Sequence, residues 1–262
     1  MKWAHSGGTI ALPVKLVSYD KRGHRRLGAL TGGSVVDLPD AVGHPVFPTT
    51  MEALVSSSGG TVLDAARDAL ERDDALEFVA PDARLLVPLL PPSIRTVRPP
   101  LAWYGMPGYA ERDPTCPAGP EEDLPGTGSL ELWLACVVGK GGRDLSPEEA
   151  DGRVFGYTLM AGWPSPGGTS LGPCVVTPDE LDPAGLALTA RVGGEVRVEA
   201  SLHELPWSFS DLVAHLSWSR DLCPGDVLGA GGLRVQVEVA SLVEFRAQGI
   251  GVLRNRIGST RS

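Results

Sequence analysis

A carboxylate and an indole lie two residues apart in an apolar segment, at Glu131 and Trp133. Alternate residues of a β-strand share one face of the sheet, so a strand here points both side chains in the same direction. A carboxyl group partly withdrawn from water beside an indole suits general acid or general base catalysis. The alternative is a carboxyl that is satisfied by backbone amides or exposed, with no catalytic role.

Two tyrosines, Tyr104 and Tyr109, lie in a segment (residues 99–128) that is rich in proline, glycine and acidic residues. Their phenol groups are hydrogen-bond donors that suit the oxygen of a bound carbonyl compound. Proline-fixed turns and interleaved aromatic residues favour an ordered loop that covers a site, and a flexible linker is the alternative.

Other residue types that often do chemistry show no such arrangement. The four cysteines are widely spaced and include no CxxC pair, which favours free thiols over a disulfide or a metal site: Cys116, Cys136, Cys174 and Cys223. Cys136 falls on the strand face opposite Glu131, so we expect it in the core. His203 and His215 fall on a predicted loop and a predicted helix, where we expect structural roles.

Strand patterns dominate the elements that must position these residues. Strands are predicted at residues 15–20, 26–30, 34–38, 132–138, 174–177, 186–192, 195–199 and 233–239. Helices are predicted around residues 62–70 and at 210–219 from apolar residues at helical spacing. We expect a mainly β fold with some α structure (α+β).

Composition argues against several classes of function. With a formal net charge of −9 and no stripe of lysine and arginine, nucleic acid is not an expected partner. No apolar run approaches the roughly 20 residues that cross a bilayer, and the N-terminal residues lack the apolar stretch of a signal peptide. We expect a cytoplasmic protein that does not interact with membranes.

Several blocks of sequence, taken in order, resemble the fumarylacetoacetate hydrolase family. The most specific are Val-Val-Gly-Lys-Gly-Gly-Arg-Asp at 137–144 and Val-Phe-Gly-Tyr-Thr at 154–158, followed by Leu-Gly-Pro at 171–173 and Pro-Gly-Asp-Val at 224–227. The resemblance covers nearly the whole chain after residue 14. It implies an N-terminal extension (1–14), a small N-terminal α+β domain (15–92), a β-rich roll or barrel (93–262) and a homodimer formed through that domain.

The same resemblance implies that the family's metal site is largely lost. Family members typically hold Mg²⁺ or Ca²⁺ with a Glu-x-Glu pair and a later Asp, which are oxygen ligands suited to hard cations. Glu131 matches the first position, but Trp133 and Gly162 stand at the other two. The family's Thr-Gly-Thr turn, which binds a substrate carboxylate, is Ala-Gly-Gly at 230–232, and the lid with its His and Glu is shortened. We therefore expect no metal and no cofactor.

Three functions remain open from the sequence. The first is a metal-independent enzyme of secondary metabolism that cyclises or isomerises a carbonyl-bearing, largely apolar small molecule, or catalyses a related lyase step. Glu131 and Tyr109 would be its catalytic residues, and its pocket would be lined by Trp133, Trp163, Tyr104 and Gly162. The two tryptophans either form the walls of that pocket or fill the space of the lost ion.

The second function is a non-catalytic relative that binds a small molecule or a partner subunit. The third is a residual metal-dependent hydrolase or decarboxylase, which would need further oxygen ligands such as Glu111 or Asp113. Fold alone does not choose among the three.

Overall fold

The computed structural model describes residues 14–57, 60–98, 105, 107–125, 128–163 and 168–258. Among these residues, fifteen strands form two open sheets, and neither sheet closes into a barrel. The strands are β1 (Lys15–Lys21), β2 (His24–Thr31), β3 (Ser34–Asp37), β4 (Val79–Ala80), β5 (Ile94–Arg98), β6 (Gly108–Arg112), β7 (Asp123–Pro125), β8 (Gly128–Val138), β9 (Val154–Gly162), β10 (Thr169–Val176), β11 (Ala187–Val192), β12 (Glu195–Ser201), β13 (Val227–Val237), β14 (Leu242–Ala247) and β15 (Gly251–Gly258). The fold is therefore mainly β with some α structure, as the sequence predicted.

The larger sheet has ten strands in the order β4-β3-β2-β1-β10-β9-β8-β13-β5-β6. The smaller sheet has five, in the order β12-β11-β14-β15-β7. Strand β1 pairs with β10 through Lys15 and Val176, so the N-terminal strands extend the same sheet as the later ones. The division into domains at residue 92 stays a prediction, and it does not coincide with a break in this sheet.

Five α-helices cover the sheets in the described part of the chain: α1 (Leu38–Val42), α2 (Met51–Ser57), α3 (Gly60–Glu71), α4 (Pro147–Asp151) and α5 (Phe209–Ser219). Helix α5 begins at a capping box in which Ser208 and Asp211 satisfy each other's backbone N–H groups. None of the helices in the described ranges is long and apolar enough to cross a membrane.

The central strand β8 shows how the core is divided. Leu130, Leu132 and Leu134 pack into a cluster with the smaller sheet and α5, whereas Trp133 and Ala135 pack into a second cluster with the N-terminal helices. This alternation follows from the two-residue period of a strand whose two faces are both covered. The buried thiol of Cys136 lies in the first cluster, as expected, and burial raises the pKa of Cys136 to about 12.

The described residues of the segment from 99 to 128 are more regular than the covering loop that the sequence predicted. It contains β6, which pairs with β5 at the edge of the larger sheet, and β7, which pairs with β15 in the smaller one. The loop prediction is wrong for these strands, because prolines and glycines at an edge strand do not interrupt pairing on its one bonded side.

Candidate functional site

A cavity of about 880 Å³ opens where β5, β6, β8 and β13 meet the segment that follows β12. Its volume lies within the range of small-molecule sites, and most of its wall is apolar. The polar and charged side chains that line it are Thr96, Arg98, Arg112, Glu131, Ser201 and Arg234. Three guanidinium groups and one carboxylate thus face one cavity in a chain whose net charge is −9.

Glu131 reaches this cavity from the middle of the larger sheet. Its side chain is only 14% exposed, and its Oε1 accepts a hydrogen bond from Nε of Arg234 at 2.7 Å and forms an ion pair with Nη2 of Arg234, also at 2.7 Å. Arg234 is the cross-strand partner of Glu131 on β13 and is itself 71% exposed. The ion pair therefore lies at the solvent side of the cavity, where its contribution to stability is small.

Trp133 forms the inner wall of the cavity and carries the guanidinium of Arg112 on its ring. The indole is 2% exposed, and Cζ of Arg112 lies 5.1 Å from the ring centroid, which is a cation–π contact. Nε of Arg112 donates to Oγ1 of Thr169 at 3.1 Å, and Nη2 donates to the backbone carbonyl of Trp163. The guanidinium is thus fixed in position by contacts from three different strands or strand ends.

The charge of Arg112 is set by two opposing effects. Burial lowers the pKa of Arg112, and the negative charge of Glu131 acts in the opposite direction. An arginine begins so far above neutral pH that it keeps its proton in proteins. Arg112 is therefore a half-buried, permanent positive charge beside Glu131.

Two glycines make room for these large side chains. Gly162 is the cross-strand partner of Glu131, and a Cβ added there would lie 2.6 Å from Nη2 of Arg112. A Cβ added at Gly232 would lie 2.8 Å from Nε1 of Trp133. Gly162 and Arg112 are therefore matched sterically, as are Gly232 and Trp133.

These residues do not fit a divalent cation. Mg²⁺ and Ca²⁺ need several oxygen ligands, whereas this wall offers one carboxylate, which is already paired with Arg234 and lies in the field of Arg112. Across the described ranges, no three His, Cys, Asp or Glu side chains cluster in a way that could hold a metal ion.

The two carboxylates that a residual metal site would need lie elsewhere. Glu111 pairs with Arg95 at 3.3 Å and with Arg220 at 3.1 Å, and Asp113 accepts hydrogen bonds from the backbone N–H and the hydroxyl of Thr115. Neither side chain lines the cavity. The sequence-based suggestion that they complete a metal site is wrong.

Tyr109 is not where the sequence predicted it. Residues 110 and 112 of β6 line the cavity, so Tyr109 lies on the opposite face of that strand. Its hydroxyl donates to the carbonyl of Leu212 at 2.8 Å and lies 3.1 Å from Nδ1 of His215, whose ring it stacks against. Burial raises the pKa of Tyr109. The expected convergence of Tyr109 with Glu131 is wrong, and His215 has the structural role expected of it.

The other predicted pocket residues have different outcomes. Trp163 reaches the site through its backbone carbonyl rather than through its indole, which packs on the core cluster under the smaller sheet. Gly162 contributes to the site only indirectly, because its missing side chain leaves the space that the guanidinium of Arg112 occupies. Tyr104 lies outside the described residues. The sequence-based prediction missed Arg98, Arg112 and Arg234, because each comes from a different strand and no local pattern marks it.

Comparison with known proteins finds one family model and several similar structures. Residues 161–258 match the family model described as fumarylacetoacetate (FAA) hydrolase C-terminal. The structure of maleylpyruvate hydrolase from Sphingobium sp. SYK-6, in complex with manganese(II) ion and pyruvate, superimposes with a TM-score of 0.77 at 22% identity, covering 94% of this chain and 100% of that one. The C-terminal part of the chain is thus similar to the fumarylacetoacetate hydrolase family, over less than half of the 262 residues. At that identity the structural match itself establishes only the shared fold.

The curated relatives match about half of the chain. An uncharacterized protein from Methanocaldococcus jannaschii is 26% identical over 146 residues, which are 48% of this chain and 60% of that protein. The homoprotocatechuate catabolism bifunctional isomerase/decarboxylase of Escherichia coli is 30% identical over 147 residues, which are 49% of this chain and 34% of that protein. The chain thus spans less than two thirds of the length of either relative. Other relatives are named oxaloacetate tautomerases and a maleylpyruvate hydrolase, which supports an enzyme on this fold.

Proposed function

We propose that this chain is an enzyme of the fumarylacetoacetate hydrolase family that moves a proton beside a carbonyl group without using a divalent cation. The reaction class is isomerisation, with cyclisation or a related lyase step as variants that begin in the same way. The observation that carries the proposal is the cavity of about 880 Å³ in which the Glu131 carboxylate and the Arg112 guanidinium lie beside one apolar wall. The tautomerase and isomerase names among the relatives support it.

Glu131 and Arg112 supply complementary parts of such a reaction. The Glu131 carboxylate accepts a proton from the carbon next to the carbonyl group, and the electron pair of the broken C–H bond becomes a C=C bond. The carbonyl π electrons move to oxygen, where a fixed guanidinium stabilises the negative charge. Returning the proton to another carbon or to oxygen completes an isomerisation. Attack of the enolate carbon on a second carbonyl group completes a cyclisation.

The residues that line the cavity also limit the chemical class of the substrate. The apolar walls agree with the sequence-based expectation of a largely apolar molecule, but three arginines against one glutamate favour a ligand that carries an anionic group. We therefore propose a carbonyl compound with at least one carboxylate or other acidic group. The proposal further includes a cytoplasmic homodimer with a place in secondary metabolism.

Proton exchange in D₂O tests this function whatever product the full reaction gives. Carbonyl acids, with oxaloacetate and pyruvate first, are incubated with the protein, and ¹H NMR follows the loss of signal from the carbon beside the carbonyl group. Glu131→Gln should slow this exchange about 10²–10⁴-fold, because removing one acid/base group has that effect.

Glu111→Gln is the matched control, because it changes an exposed carboxylate outside the cavity. It should keep exchange within about twofold of the wild type, in line with an exposed group that touches no substrate. Full activity in Glu131→Gln on an accepted substrate refutes the acid/base role. If such acids bind but none exchanges its proton, the non-catalytic alternative is favoured instead. Glu131 would then stay paired with Arg234 and take no part in proton transfer.

A further inference from the structure

The resemblance would place a divalent cation beside Glu131 and residues 133 and 162, and a side chain of the protein itself lies against that wall. Glu131 and Gly162 face each other across β8 and β9, and Trp133 is the next residue on the same strand face. The guanidinium of Arg112 lies against all of this wall: over the Trp133 ring, in the field of Glu131, and within 2.6 Å of where a side chain at position 162 would begin.

We infer that Arg112 supplies, as a built-in guanidinium, the positive charge that a divalent cation would bring, and that an anionic oxygen of the ligand binds there in place of a metal. The inference extends the proposed function by naming the group that receives the substrate oxygen. The part of the inference that excludes a metal depends only on the contacts of Arg112 with Glu131, Trp133 and Gly162, and not on which reaction occurs.

Sterics set the two arrangements against each other. A carboxylate side chain at position 162 would begin 2.6 Å from Nη2, so the guanidinium of Arg112 would have to shift from its present position if an aspartate replaced Gly162. The backbone of Gly162 does not adopt a positive φ, so the glycine is needed for space rather than for conformation.

The charges around Glu131 also oppose the binding of a divalent cation. Glu131 carries one negative charge and already has Arg112 and Arg234 as positive neighbours. A divalent cation would meet a wall that is neutral or positive, and two unit charges about 4 Å apart interact strongly even at an effective dielectric constant of about 20. A guanidinium in this position therefore opposes the binding of Mg²⁺ or Mn²⁺ and attracts an oxyanion.

Mn²⁺ binding in three proteins tests the exclusion, with EPR of the free ion as the measurement. The wild type should bind no Mn²⁺ at this site. Trp133→Glu/Gly162→Asp/Arg112→Ala presents three carboxylates without the guanidinium and should bind one ion. Trp133→Glu/Gly162→Asp, which keeps Arg112, should bind it about 100-fold more weakly. Equal affinity in the last two proteins contradicts the inference, and so does a folded triple variant that binds no Mn²⁺.

A thermal cycle covers the case in which these carboxylate variants do not fold. Gly162→Ala should lower Tm by about 5 °C in the wild-type background and by clearly less when Arg112→Ala is also present. The closest contact of the added Cβ is with Nη2 of Arg112, whereas its 3.0 Å contact with the backbone carbonyl of Gly168 remains in both backgrounds. Gly152→Ala is the control, since a Cβ at Gly152 meets no atom within 4 Å, and its effect should be the same in both backgrounds. Identical losses for Gly162→Ala in the two backgrounds overturn the steric half of the inference.

Binding of oxalate, a planar dianion, tests whether Arg112 receives an anionic oxygen of the ligand. Calorimetry in buffer containing EDTA measures this binding. Wild type should bind oxalate, and Arg112→Ala should weaken binding by at least about tenfold, as expected for loss of a charged hydrogen-bond donor. Arg143→Ala, which removes an exposed arginine paired with Asp221 outside the cavity, should leave it unchanged. Unaltered oxalate affinity in Arg112→Ala refutes the assignment, whether or not the protein proves to exchange carbon-bound protons.

Discussion

Replacement of Trp133 by alanine should cost far more stability than an ordinary cavity-lining residue would. The indole is 2% exposed, and aromatic side chains of this kind bury about 150–250 Å². At about 25 cal/mol per Å² this corresponds to about 4–6 kcal/mol as an upper bound, and truncations of buried Trp or Phe to Ala cost about 3–5 kcal/mol. Gly229 and Gly232 flank the ring and have no side chains that could fill the hole, so we expect about 4–5 kcal/mol here.

Urea unfolding followed by far-UV circular dichroism measures this cost without relying on tryptophan fluorescence. Trp218→Ala is the matched control, because Trp218 is 52% exposed and makes one hydrogen bond, from Nε1 to the carbonyl of Leu145. That control should lose about 1 kcal/mol. If Trp133→Ala loses no more than the control, the indole is not a packed wall, and the steric pairing of Trp133 with Gly232 is refuted.

Three further predictions concern other parts of the molecule. Burial alone would raise the pKa of Asp37, but hydrogen bonds from Arg26, Lys21 and Tyr19 outweigh it and hold that pKa below its ordinary value. The ionised Asp37 therefore stabilises the folded protein above about pH 4, and this contribution is lost as the pH falls through the folded-state pKa. In urea unfolding, Asp37→Asn should therefore cost about 3 kcal/mol at pH 7 and much less at pH 2, and equal costs would contradict this. Tyr109→Phe should lower the free energy of unfolding by about 1 kcal/mol through the lost hydrogen bond to Leu212 and leave proton exchange intact; a 10²-fold loss of exchange would restore the catalytic role that the sequence suggested. Light scattering at tens of micromolar should give a dimer, and a monomer would exclude the proposed homodimer.

Strands in which apolar and polar residues alternate, and which turns bound at their ends, were predictable from the sequence. Residues 15–20, 26–30 and 34–38 alternate between turns and correspond to β1, β2 and β3 within one or two residues at each end. Strand β9 did not stand out as a strand, because Val154–Gly162 is buried almost throughout and therefore shows no alternation. Strand β13 begins six residues before the predicted start at 233, since its glycines at 229, 231 and 232 hid the pattern.

The candidate site divides in the same way. Glu131 and Trp133 line one cavity because their common face depends only on the two-residue period of β8. Tyr109 could not be placed by that argument, since the register of β6 decides whether odd or even residues face the cavity, and prolines and glycines around it conceal the register. The position of Arg112 depends on Thr169 and Trp163, more than fifty residues later in the chain, which no local pattern connects to it.

The charge distribution shows what a guanidinium changes in such a site. A chain of net charge −9 repels an anionic ligand at long range, so an anion is held only by the charges that it meets inside the cavity. Exposed charges are screened within about 8 Å at physiological ionic strength, but Arg112 is half-buried against Trp133 and is screened less than an exposed charge. A bound metal could be removed by a chelator or diluted away, whereas the charge of Arg112 is covalently part of the chain. Affinity for an anionic ligand should then vary with the contacts of this one side chain and not with the concentration of any divalent ion.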